Sequence, residues 1–337
     1  MDFEHSKGTL FDALLGESFE VYVNQETQPQ VAYSSPFEEL GEINMPLFEE
    51  QDRDILMHRD AHFAANFELM ADYYDKEGKG AYEEIDPDRI YQLMAIEKEL
   101  QKDLAPLVLQ GPDAEKVARS RAFYKLLQRQ YEDPKAAKEL IAIIDLIFSE
   151  EEDREKEVLL LASFGEKIIM YLLLLIQTEE LYDPLFPGYG QAPIVAALAL
   201  GKLKAEAAIK PLFYMLSKHD FEIESAAMSA LAAIGEKAEQ FCLQVLAGRP
   251  LTLDNERAAV ALCAFPASER IGKEILSQLQ DKEVQKQEQL ATYLILACEN
   301  LPPHLLPELQ NIEKSASLPK PAQEELRQLL KCGQKNR

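Results

Sequence analysis

A chain of 337 residues with 59 acids against 35 bases, a formal net charge of −24 and no tryptophan is long enough for two domains or one extended array. Phosphate backbones and anionic lipid are recognised through clustered Lys and Arg, so this balance argues against nucleic acid and anionic membrane surfaces as partners. The four cysteines, Cys242, Cys263, Cys298 and Cys332, form no CxxC pair and read as reduced core thiols in a cytoplasmic, reducing compartment.

Residues 1–46 read as an acidic, largely extended arm. Pro29, Pro36 and Pro46 interrupt it, and its aromatics are scattered (Phe3, Phe11, Phe19, Tyr22, Tyr33, Phe37). A short amphipathic piece is expected over Leu10–Leu15, and the one β-like alternation in the chain is Phe19–Val23. Met1 to Thr9 carries Asp2, Glu4 and Lys7 with no apolar run behind it, so no secretory signal is expected. Such a segment suits docking, either to a partner or back onto the chain itself.

From residue 47 to 182 the period is helical. Leu56, Phe63, Phe67, Met70 and Tyr74 share one helix face, which predicts a helix running to the turn at Gly78-Lys79-Gly80. Asp86-Pro87 and Asp133-Pro134 read as N-cap plus first residue of further helices, and Gly111-Pro112 separates two of them. That makes about four helices before residue 150. Within this region Val158–Ile176 is apolar enough to be weighed as a membrane span. Glu166-Lys167 at its centre would each cost about 2.5–3.5 kcal/mol in lipid, and Gly165 suits a turn, so a buried helix pair is expected. Asp183 to Gly190 is rich in Pro and Gly, and residues 183–192 read as a joint.

Beyond residue 193 the chain repeats itself every 31 residues. Ala196, Ala227 and Ala258 align, as do Ala199, Ala230 and Ala261, and Leu200, Leu231 and Leu262. Gly201, Ala232 and Cys263 give a small position, and Leu203, Ile234 and Phe265 a large one. Leu212 and Leu243, then Met215 and Leu246, continue the register into a second helix. A looser unit follows at about 284–316, with Leu294, Leu296, Leu305, Leu306 and Leu309, and Leu318–Leu330 reads as a capping helix within 317–337. Alanines at fixed places let a partner helix approach closely, and a single such hairpin cannot bury its own face, so the units must stack.

The run Val195–Leu212 resembles the short HEAT-like repeat of the phycobilisome-lyase type, and Ala227–Leu231 with Ile234-Gly235 keeps the pattern. The third unit departs from it at Pro266. The resemblance covers about 193–316. It implies a right-handed α-α superhelix there, so that with the helical region and the acidic arm before it the chain is expected to be all-α. It implies a non-catalytic protein-protein interaction scaffold or adaptor, with a chromophore-lyase-like enzyme or subunit, or a regulatory or chaperone component of a secretion or assembly machine, as alternatives. The second helices of such a stack line a groove, for which Lys210, Tyr214, Lys218, Gln240, Gln244 and Lys273 are the candidate side chains. Two catalytic relatives of this architecture do not fit: a lysine hydroxylase would need His-Glu pairs, which this chain lacks, and a DNA glycosylase a basic face.

Other chemistry is sparse, and no cofactor is expected. His58 and His62, one helical turn apart with Asp54 a turn before, are weak metal candidates, but Arg59 stands where a zinc-protease helix needs Glu. Asp75–Gly80 departs from a calcium loop at its lysine and at Asp86. Tyr73, Tyr74, Tyr82 and Tyr91 cluster around one loop and suit core packing at a helix joint. Residues 1–54 hold 13 acids and 2 bases, whereas 193–337 hold 18 and 17, so the arm is also a candidate to lie along the nearly neutral groove.

Overall fold

The computed structural model describes residues 22–23, 48–80, 85–151 and 153–335. All secondary structure among them is helical: seventeen α-helices of four or more residues, joined by 3-10 turns and one π turn. The chain divides into two compact units, 1–152 with 177–193, and 153–176 with 194–337.

The first unit is built around α1 (Glu50–His62), which packs on α3 (Pro87–Leu100), α4 (Ala105–Val108) and α5 (Pro112–Glu132). A capping box between Glu49 and Asp52 starts α1. The single long helix expected from Leu56 to Tyr74 is broken. Ala64 and Ala65 take positive φ (52° and 59°), and the Asn66 side chain accepts from the N–H groups of Glu68 and Leu69 to open α2 (Phe67–Ala71). Asn66 was the legible signal, overridden by the regular apolar spacing. Asp86 caps α3 as expected. Asp133 instead closes α5, accepts from the Lys135 N–H in a turn, and α6 (Lys138–Ile147) starts later.

Polar residues strap α1 to its neighbours. Asp52 is fully buried and takes both Nε and Nη2 of Arg89, each at 2.7 Å. At the other end of α3, the enclosed Arg59 guanidinium donates to Asp60, to Glu97 of α3 and to Asp103, each at 2.7 Å, and lies 4.5 Å over the Phe67 ring. Glu97 and Asp103 also accept the N–H groups of Leu104 and Ala105, so the same carboxylates open α4. Of the arm, only Tyr22 and Val23 are described. They are helical rather than β-like, and both are buried, with the Arg129 guanidinium of α5 5.3 Å from the Tyr22 ring. The piece expected at Leu10–Leu15 lies outside the described residues.

The second unit opens with a hairpin of α7 (Arg154–Ala162) and α8 (Glu166–Gln177), turning at Gly165 with φ 63°. It continues with α9 (Ala192–Lys202), α10 (Ile209–Met215), α11 (Phe221–Ile234), α12 (Glu236–Leu246), α13 (Leu253–Leu262), α14 (Glu269–Gln280), α15 (Glu288–Ala297), α16 (Leu306–Ser315) and α17 (Lys320–Lys335). These fall into two layers. In one, α11 packs on α13, α13 on α15 and α15 on α17; in the other, α12 packs on α14 and α14 on α16. The layers are joined by α10 on α11, α12 on α13, α14 on α15 and α16 on α17.

The repeated columns are the seam of this stack. Ala196, Ala227, Ala258, Ala199, Ala230, Ala261, Leu200, Leu231 and Leu262 are all buried. The small position sets the spacing of the first layer: a Cβ on Gly201 would stand 2.6 Å from the Ala230 Cα, and Cys263 Sγ donates to the Tyr293 carbonyl at 3.8 Å. Gly272 does the same for α14, where a Cβ would meet Leu301 and Leu305. Leu294 is buried, but Leu296 of the looser unit is partly exposed.

Asn255, buried in the first turn of α13, donates through Nδ2 to the carbonyls of Val245, Leu246 and Gly248 at 2.9–3.0 Å and accepts the Thr252 N–H at 2.7 Å. One side chain thus ends α12 and starts α13.

Candidate functional site

The second layer presents the groove candidates. Lys210 and Tyr214 stand one turn apart on α10 and are exposed, Lys218 follows in the turn, Gln240 and Gln244 stand one turn apart on α12, and Lys273 is exposed on α14. Each therefore lies on, or directly after, a helix of the same layer. Some are engaged locally. The Lys218 Nζ lies 5.4 Å from the Tyr214 ring centre, Gln240 donates to Glu236 at 3.0 Å, and Lys273 pairs with Glu269 at 2.6 Å. Tyr214 is the apolar member of the set, 52% exposed, with the far more exposed Phe221 opening α11 nearby in the chain. These pairs lie at the surface, where each contributes little stability and is readily exchanged for contacts to a partner.

At the edge of the same unit a cleft of about 490 Å³ opens between the α11–α12 and α13–α14 turns, lined by Gly235, Glu236, Glu239, Phe265, Ser268 and Arg270 among others. Three carboxylates, Glu236, Glu239 and Glu269, and one cation, Arg270, line it. Arg270 lies 3.2 Å from Glu236 and 3.8 Å from Glu239, and Ser268 Oγ donates to Glu239 at 3.2 Å. None of the six groove candidates lines it.

The histidine pair of α1 belongs to the first unit and has a packing role. His62 Nε2 faces the Pro184 carbonyl at 3.0 Å, which can only accept, so Nε2 carries the proton; Nδ1 then accepts from the Tyr124 hydroxyl at 2.6 Å. Both ring nitrogens of this metal candidate are occupied. Tyr189 stacks on the His62 ring at 4.3 Å between centroids. Three successive residues with positive φ, Gly188 (86°), Tyr189 (49°) and Gly190 (79°), aim it there. Gly188 is required twice over, since a Cβ would also lie 2.8 Å from the Ile147 carbonyl oxygen. The Pro/Gly-rich segment thus folds onto α1 and packs with the first unit.

His58, buried and 5.3 Å from His62 between ring centroids, is held down to about 4, by burial and by Lys116 against the opposing pull of Asp183. Burial, then the neighbouring His58, hold His62 down to about 3 despite its bond to Pro184. Burial pushes the hydroxyls of Tyr124 and Tyr189 upward. All four groups are therefore neutral near pH 7. Asp54, the third member of the weak metal set, lies 3.5 Å from Arg53. Among the described residues no group of three or more His, Cys, Asp or Glu is placed to hold a metal ion.

The tyrosine loop packs as aromatic contacts: Tyr73 on Phe63 at 5.5 Å and on Tyr74 at 5.8 Å, while Tyr91 donates to Asp75 at 3.0 Å at the surface. Tyr82 lies outside the described residues. Burial pushes the thiols of Cys242 and Cys298 up to about 12 and that of Cys263 up to about 11, so they are protonated and poor nucleophiles. The side chain of Cys332 is not among those described. No helix among the described residues is long and apolar enough to cross a membrane.

Sequence reasoning missed Arg59, which organises the first unit. The available signal was an arginine on the buried side of a helix, between Ile55, Leu56 and Met57 before it and Ala61 after. In comparisons with known proteins, no family model matches the chain and no curated protein is significantly similar to it.

Proposed function

We propose that this chain is a non-catalytic protein-binding scaffold, in which 194–316 forms a right-handed HEAT-like superhelix and the exposed side chains of its second layer take the partner. The observation that carries this reading is the two-layer stack, whose seam is the 31-residue column of Ala, Ala and Leu. Stacked hairpins make one continuous surface from side chains far apart in sequence, which suits the recognition of an extended partner. The surface offered by Lys210, Tyr214, Lys218, Gln240, Gln244 and Lys273 is polar and amide-rich with one aromatic anchor, and its lysines favour a polar segment with acidic and apolar residues.

The test is affinity capture of partners with the full chain, repeated with Lys210→Glu, Tyr214→Ala and Lys273→Glu combined. A protein held by the wild type and lost at least about tenfold by the variant, with an unchanged thermal midpoint, supports the assignment. Equal capture by the variant would place the binding surface elsewhere.

A further inference from the structure

We draw no further inference here: the strongest candidate, the edge where the exposed side chains of Phe221 and Leu253 open the neighbouring helices α11 and α13, is an apolar patch flanked by the ion pairs of Arg154 with Glu222 and Arg257 with Asp254, and nothing in the structure shows what covers it.

Discussion

Arg59 sits among Asp60, Glu97 and Asp103 and so ties α1 to α3 and to the start of α4. Burial would raise the Asp103 carboxyl, but its bonds to Arg59 and to the Ala105 N–H hold it below the usual range. Burial outweighs Arg59 at Asp60 and holds that carboxyl above it. The group is therefore finely balanced and depends on the cation. Arg59→Ala is expected to cost about 3–5 kcal/mol in urea unfolding, because it strands carboxylates that are partly buried. Arg59→Lys should recover only part of this, since an ammonium cannot reproduce the three-way fork; full recovery would show that charge alone matters. The histidines make a second residue-scale prediction. Their folded values, about 4 for His58 and about 3 for His62, lie below the ordinary 6.5. The unfolded chain therefore binds more protons between these values, and the stability from burying neutral rings is complete above 6.5 and lost as pH falls toward 4. The urea midpoint should drop over that window, and His58→Leu should flatten the slope. Identical slopes would dismiss the linkage.

At the scale of elements, close approach governs the stack. Gly201→Ala gains about 1 kcal/mol of helix propensity but places a Cβ 2.6 Å from the Ala230 Cα, a backbone atom that cannot turn aside. Overpacking costs about 1–3 kcal/mol and wins, so the thermal midpoint should fall; a rise would mean that α9 and α11 separate freely. This position was legible in the sequence because Gly201, Ala232 and Cys263 recur in register. The break between α1 and α2 was less so. Apolar spacing from Leu56 to Tyr74 continues across it, and only the cap at Asn66, a local competitor for backbone N–H groups, marks the interruption.

At the scale of the whole molecule, each unit has its own core. Leu290 and Leu294 of α15 are buried, and α15 packs against α17. Ending the chain after residue 305 removes α16 and α17 and uncovers this end of the stack. Hydrogen exchange should then accelerate by at least about tenfold through α13 to α15 and leave α1 and α5 unchanged. Acceleration in α1 as well would show that the two units unfold as one.

The sequence by itself determined what depends on neighbours in the chain: helical class, the cap at Asp86, the turn at Gly165, and the small-residue columns that make hairpins stack. Lys210, Gln240 and Lys273 lie on α10, α12 and α14, the second helices that the repeat led one to expect. Only the tertiary structure decided the long-range matches. His62 finds its partners in Tyr124, Pro184 and Tyr189, and Arg59 in Glu97 and Asp103, through contacts that no local spacing encodes. The same holds for the hairpin at 153–176. Its composition states how much apolar surface it has; which side of that surface is buried depends on what packs against it.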